Sequence, residues 1–182
     1  MPGRTTLLIC YDGSEGARAA LEVAATFFAP AEAVVACYWE PFAEASNRVA
    51  IDILELVQDP ERINEREEAL AAGIAEEGEA RARAAGLDAT GRAVKITTPI
   101  DEAVLSHAEE LDASAIVLGA RSRSPLRSLI LGDVANEVVQ RATRPVLVVP
   151  SRGLSRRRHD ALVSDIVDDG PPAGVLRTRE RG

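Results

Sequence analysis

Apolar residues along this chain fall into two alternating patterns. The first is short runs: Thr6–Tyr11 (TLLICY), Ala33–Tyr38 (AVVACY), Ala115–Leu118 (AIVL) and Pro145–Val149 (PVLVV), with Ala89–Thr97 a less regular strand in which Val94 and Ile96 point one way and Arg92 alternates less cleanly. Short apolar runs between turn residues read as strands, and near-continuous apolar character marks strands covered on both faces. The second pattern has apolar residues three and four apart, as on one face of a helix. Ala17, Ala20, Leu21, Ala24 and Ala25 share such a face after Ser14, a candidate N-cap, and Pro30 closes the segment. Ala50, Ile53, Leu54 and Val57 predict a short helix within Glu44–Asp59, broken at Pro60. Glu61–Ala85 predicts a long charge-rich helix with Ile63, Leu70 and Ile74 as its apolar stripe, continued weakly by Ala80 and Ala84. Gly73 and Gly78 each weaken it by ~1 kcal/mol relative to alanine. Its Glu and Arg residues read as a solvated face with i,i+4 pairs, and Gly86 as its C-terminal cap. Thr98 is placed to cap the next helix, with Pro99 in its first turn. Ile100, Val104, Leu105, Ala108 and Leu111 form its apolar face, and His107 lies at the edge of that face as a structural residue. A last helix over Asp133–Ala142 buries Val134, Val138 and Val139.

Strands and helices alternate throughout, which predicts an α/β domain with a doubly wound parallel sheet over residues 1–150. Residues 151–182 differ. Arg156–Arg158, Asp168–Asp169, Pro171–Pro172 and few large apolar residues predict a polar, flexible C-terminal tail.

Composition narrows the function. The 182 residues suffice for one domain with a sizeable core. A net charge of −8 argues against non-specific nucleic-acid binding. No apolar run is long enough to span a bilayer, and the first residues lack the apolar core of a signal peptide, so a cytoplasmic location is expected. Cys10 and Cys37 fall in strands and read as small core residues. His107 and His159 have no partner at metal-ligand spacing, so no zinc site is expected.

The stretch Ala115–Val139, AIVLGARSRSPLRSLILGDVANEVV, carries the candidate chemistry. It reads as a buried strand broken at Gly119, an arginine-bearing loop, then Gly132 directly before a helix that Asp133 can cap. Strand, glycine loop and helix N-terminus together make a geometry able to hold an anion.

The same stretch resembles the nucleotide loop of the universal stress protein family, Gly-x2-Gly-x9-Gly-Ser/Thr. Gly119 and Gly132 match the first and third glycines; Ser122 stands in place of the second glycine and Asp133 in place of the Ser/Thr. LLICYDGSEGARAAL resembles the family's opening, DEAVLSHAEELDASAIVLGARSRS its third helix and fourth strand, and GDVANEVVQRATRPVLVVP its final helix and strand. The likeness covers Thr6–Pro150, with Ser114 a further departure where the family often has Asp. It implies an adenine nucleotide alpha hydrolase-like, Rossmann-like sheet of five strands in the order 3-2-1-4-5. The ligand crevice of such a sheet lies at the switch point between strands one and four.

The resemblance also implies roles. Asp12 corresponds to the family's adenine-side aspartate; as a residue in its own right it reads equally as a turn residue beside Gly13. Trp39 falls where family members contact adenine through the backbone; its ring could stack on a base or cover the end of the sheet. Gly119 and Gly132 correspond to phosphate-loop glycines, useful where backbone must approach phosphate. Ser122 can still donate a hydrogen bond. Asp133 puts an anion where phosphate is received. Arg121, with Arg123 and Arg127, could neutralise a polyphosphate or pair with Asp133, and Mg2+ could bridge Asp133 to phosphate.

The function implied is a stress-response module binding ATP or a less charged adenine nucleotide such as AMP. The alternative is a nucleotide-free dimeric interaction protein whose loop is closed by an Arg–Asp133 pair. No Ser-His-Asp set, Cys-His pair or carboxylate dyad stands at convincing positions, so no catalytic residue is assigned and ATP hydrolysis would at most be slow. The strand Pro145–Val149 at a sheet edge predicts a homodimer.

Overall fold

A computed structural model of the chain describes residues 5–42, 59–120 and 133–151. The strands are β1 (Thr6–Cys10), β2 (Glu32–Trp39), β3 (Asp88–Lys95), β4 (Ala115–Ala120) and β5 (Val146–Pro150). The helices are α1 (Glu15–Phe28), α2 (Pro60–Ala84), α3 (Ile100–Glu110) and α4 (Asp133–Arg141). The strands form one parallel sheet in the order β3-β2-β1-β4-β5. The order implied by the family resemblance is therefore the observed one. The helix expected within Glu44–Asp59 and the tail lie outside the described residues, apart from Asp59 and Ser151.

Two cores sandwich the sheet. Leu7, Ile9, Tyr11, Val35 and Val117 face α1 and α2, with Ala17, Leu21, Ala24 and Ala82 against them. Leu8, Val34, Ile116 and Leu118 face α3 and α4, with Val104, Ala108, Ala135 and Val138 against them. The side-chain period of two turns alternate strand residues to opposite faces, which is why the central strands β1, β2 and β4 are nearly apolar throughout, while the edge strand β3 carries Asp88, Thr90, Arg92 and Lys95.

The helix boundaries follow local chemistry. Ser14 caps α1, its Oγ accepting from the Ala17 N–H at 3.2 Å. Pro60 sits in the first turn of α2, where its missing N–H costs nothing. Asp59 is the cap, accepting from the Arg62 N–H at 3.0 Å. Gly86 ends α2 with φ +96°; its own N–H bonds the Arg83 carbonyl and the Leu87 N–H bonds the Ala82 carbonyl. This is the left-handed termination expected of glycine. Thr98 does not cap α3: Pro99 occupies that position without a side-chain bond.

The buried stripe of α2 corrects the sequence expectation. Ile74 of the expected stripe packs against the core, but Leu70 is 52% exposed, Ala80 and Ala84 are exposed, and the fully buried residues are Ala71, Ala75, Gly78 and Ala82. The helix lies too close to the sheet for larger side chains. A Cβ on Gly78 would stand 2.7 Å from both Tyr11 and Val35, and one on Gly91 of β3 would stand 2.5 Å from the Ala75 carbonyl oxygen. In α4 likewise, Ala135 and Val138 are buried while Val139 is 46% exposed.

The two glycines of α2 thus separate into opposite cases. Gly73 faces open space, so Gly73→Ala is expected to stabilise the protein by about 0.4–1 kcal/mol through helix propensity and a less flexible unfolded chain. Gly78→Ala is expected to destabilise it, because the gain in propensity is outweighed by overpacking of roughly 1–3 kcal/mol. Urea unfolding of the two variants checks the sign of each.

Candidate functional site

The crossover after β1 (α1) and the crossover after β4 (α4) leave on opposite faces of the sheet, so the crevice of the fold opens between the C-terminal ends of these two strands. Asp12 lies just past β1, Gly119 and Ala120 end β4, and Asp133 opens α4. Trp39 ends β2, on the other side of β1. Of the residues singled out in the sequence, Asp12, Gly119 and Asp133 therefore gather at the switch point. Arg121, Ser122 and Gly132, with Arg123 and Arg127, lie outside the described residues.

Asp12 is exposed, and its Oδ1 accepts from the Ser14 N–H at 3.0 Å. Gly13 between them has φ +71°, a left-handed conformation that suits glycine. Asp12 thus shapes the turn that launches α1. Trp39 is only 9% exposed and packs with Cys37, Ala71 and Ala75 beneath α2. Its carbonyl accepts from the Ile96 N–H at 2.9 Å, and Lys95 Nζ lies 5.9 Å from the ring centroid. The geometry matches the covering role of the two readings open for this side chain.

Gly119 has a structural reason of its own. A Cβ here would run into the Gly16 carbonyl carbon and stand 2.6 Å from both the Ala17 nitrogen and the Gly16 oxygen. Gly16 returns the contact, since its own Cβ would lie 3.1 Å from the Ala120 oxygen. The pair lets the first turn of α1 rest against the end of β4, backbone to backbone. Sequence reasoning missed Gly16. The signal available was a second glycine three residues beyond Gly13, at the start of a helix where glycine is otherwise unfavourable.

Asp133 is exposed and occupies the first turn of α4, where a carboxylate favours the positive end of the helix dipole. It opens the helix rather than standing one position before it. A second carboxylate borders the site from α2. Glu77 reaches toward the turn after β1, where a Cβ on Gly13 would be 3.8 Å from its Oε2. Glu77 pairs with Arg81 at 2.6 Å and Arg18 at 3.3 Å, and the Arg81 hydrogen bond holds its carboxyl below the usual range. The described residues around the crevice thus include the carboxylates of Asp12 and Asp133, whereas the charge of Glu77 is met by Arg18 and Arg81.

His107 belongs elsewhere. It is 8% exposed, and its Nδ1 lies 3.0 Å from the Tyr38 hydroxyl with the rings edge to face. With the neutral ring protonated on Nε2, that hydroxyl donates. Behind Tyr38 stands Cys10, whose thiol burial pushes up to about 12. The structural role expected for His107 is the one observed. It also lines a shallow groove of about 450 Å³ between β3 and α3, with Arg92, Thr98, Ser106 and Glu110. That groove lies on the β3 flank, away from Gly119 and Asp133.

Burial holds the His107 pKa below its ordinary value, with Glu110 raising it and Arg92 lowering it less strongly. The unfolded chain therefore binds a proton more readily at this residue than the folded one. Stability is expected to fall as pH drops below ~6.5, where the unfolded imidazole begins to protonate, and to level off below the folded value. Urea midpoints at neutral and mildly acidic pH check this, and His107→Gln should flatten the difference.

The fold places the chain among doubly wound α/β proteins, with the switch point between β1 and β4. The sequence profile described as the universal stress protein family matches residues 3–150, and the chain belongs to that family. It is 46% identical over 46 residues to the universal stress protein YxiE of Bacillus subtilis, a match covering 25% of this chain and 31% of that protein. It is 33% identical over 86 residues to a universal stress protein of Mycolicibacterium smegmatis, covering 45% of this chain and 66% of that one. The matched stretches thus span less than two thirds of either relative. Among solved structures, the universal stress protein of Archaeoglobus fulgidus superimposes with a TM-score of 0.62 at 22% identity, covering 81% of this chain and 98% of that one. A complex of the A. fulgidus protein with dAMP gives 0.56 at 17% identity, covering 82% and 99%. A universal stress protein in complex with cAMP gives 0.54 at 22% identity, covering 81% and 98%. At these identities the structures establish the shared fold. Among the described residues no helix is long and apolar enough to cross a membrane, and no three His, Cys, Asp or Glu side chains gather as a metal site.

Proposed function

We propose that this protein binds an adenine nucleotide in the crevice between β1 and β4, and that it favours one carrying a single phosphate group, AMP or a cyclic nucleotide, over ATP. The observation that carries the reading is Asp133 in the first turn of α4, at the helix end that would otherwise receive phosphate. The Asp12 carboxylate can accept from an adenine amino group or a ribose hydroxyl. First-turn N–H groups of α4 can still donate to one phosphate. A triphosphate would add charge beside Asp12 and Asp133. The known complexes of related folds with cAMP and dAMP support this class of ligand. ATP binding, if it occurs, would draw on the arginines of the loop or on Mg2+.

Two copies are proposed to pair through β5, an edge strand of Val146, Leu147, Val148 and Val149. A cytoplasmic setting is proposed for the module. Calorimetric titration with AMP, and with ATP with and without Mg2+, tests the ligand. Saturable heat with AMP and weaker or no heat with ATP is expected. No heat with any adenine ligand would instead favour the nucleotide-free interaction module.

A further inference from the structure

The two edges of this sheet are not alike. In the parallel ladder between β2 and β3, the Asp88 N–H bonds the Ala31 carbonyl and the Ile96 N–H bonds the Trp39 carbonyl. Alternate residues of a parallel strand turn both backbone groups to the same side. Ala89, Gly91, Ala93 and Lys95 therefore turn theirs away from β2, along the outer edge. Two of these outward groups are already taken. The Gly91 N–H donates to Glu79 Oε2 at 2.6 Å, and the Ala89 carbonyl accepts from Arg83 Nε at 2.9 Å. Arg83 and Glu79 are themselves paired at 2.9 Å, one turn apart on α2.

This arrangement has the bonding pattern of a strand residue. In a parallel sheet, one residue of an added strand would donate its N–H to the Ala89 carbonyl and accept at its own carbonyl from the Gly91 N–H. Arg83 supplies the donor and Glu79 the acceptor. Gly91 makes the approach possible, because a Cβ there would meet the Ala75 carbonyl at 2.5 Å and the Glu79 Cβ at 3.2 Å. At the opposite edge, the Ile116 N–H bonds the Pro145 carbonyl. The same alternation then leaves the backbone groups of Val146 and Val148 turned outward, and no hydrogen bond to them is present among the described residues.

We propose that Glu79 and Arg83 together act as a side-chain substitute for a sixth strand, closing the β3 edge to any added strand and confining sheet-to-sheet pairing to β5. The partner that β5 fits is an extended strand, as a second copy of this chain would present. With one edge closed, such pairing stops at two copies and cannot run on into a filament. The closed β3 edge stands on its own observations; only the identity of the β5 partner rests on the dimer reading above.

Two measurements test this. Hydrogen exchange on Glu79→Ala reads the contact itself. The Gly91 amide should exchange about tenfold faster, the factor that a charge-assisted hydrogen bond represents, while amides of β1 stay protected. An unchanged Gly91 amide overturns the proposal. Sedimentation over a range of concentrations then compares wild type with the double variant Glu79→Ala/Arg83→Ala. Wild type should level off at no more than two chains, and the double variant should grow past the wild-type limit. Equal masses, with the Gly91 amide deprotected, would overturn the proposal, as would wild type growing past two chains. A monomeric wild type would remove only the β5 pairing, and the gain of mass in the double variant would still establish the closed edge. Val148→Pro, which removes an outward N–H of β5 but no ladder bond, leaves that gain intact if it arises at β3.

Discussion

Gly119→Ala is expected to lower the stability of the folded protein by about 3 kcal/mol, at the upper end of the usual cost of overpacking. The added methyl would stand 2.6 Å from the Ala17 nitrogen and the Gly16 oxygen. Both belong to backbone in the first turn of α1, so no side chain can rotate aside. Relief requires moving α1 away from β4, and α1 carries Ala17, Ala20, Leu21 and Ala24 into the larger core. For a chain of this size each kcal/mol is worth roughly 2–4 °C in melting temperature, so a drop near 10 °C is expected in a thermal scan. Gly16→Ala should be milder, because its nearest neighbour would be at 3.1 Å. The pair of results separates two meanings of Gly119. If its only purpose were to admit phosphate, Gly119→Ala would melt with wild type and lose nucleotide. A melting temperature within about 2 °C of wild type, less than 1 kcal/mol on the same scale, would contradict the packing account.

Asp133→Ser is expected to raise affinity for ATP at least about tenfold, with a smaller gain for AMP. A carboxylate ~5 Å from one phosphate charge opposes it by ~3 kcal/mol at an effective dielectric of ~20. Asp133 is exposed, and screening by salt reduces that figure, so about 1.4 kcal/mol, a factor of ten, is the lower bound expected. The gain should shrink as salt is added and should grow with the number of phosphates. Calorimetry on wild type and variant with ATP, ADP and AMP gives the comparison. Equal affinities of the two proteins for all three ligands would remove Asp133 as the selectivity element.

The fold was largely legible because strand and helix periods disagree so sharply. TLLICY and AVVACY admit no helix stripe, and the β-α alternation leaves few topologies for a parallel sheet. The strand order came from the resemblance, since periodicity says nothing about which strands are neighbours. Helix α2 shows where pattern reading stops. It assigns the buried stripe to Ile63, Leu70 and Ile74; Ile74 does pack against the core, but Leu70 is exposed, and close approach to the sheet selects Ala71, Ala75, Gly78 and Ala82 for full burial. Small residues carry little hydrophobic signal, so a close-packed helix reads weakly in sequence. Glu79 and Arg83 show the same limit for charge. As an i,i+4 pair they read as part of a solvated face, and only the fold sets them against the β3 edge. At the candidate site, Asp12 as a turn residue and Trp39 as a cover for the sheet end were among the readings open in sequence, whereas the packing reason for Gly119 was not. Gly119 is explained by Gly16, a tertiary contact between residues far apart in the chain.

The central claim, adenine nucleotide binding between β1 and β4, is tested most directly by titrating isotope-labelled protein with AMP and following the backbone amide resonances. Saturable shifts clustered at Gly13, Ser14, Gly119, Ala120 and the first turn of α4 are the result expected. Absence of shifts at saturating AMP, or shifts confined to the groove of Arg92, Ser106 and His107, would contradict it.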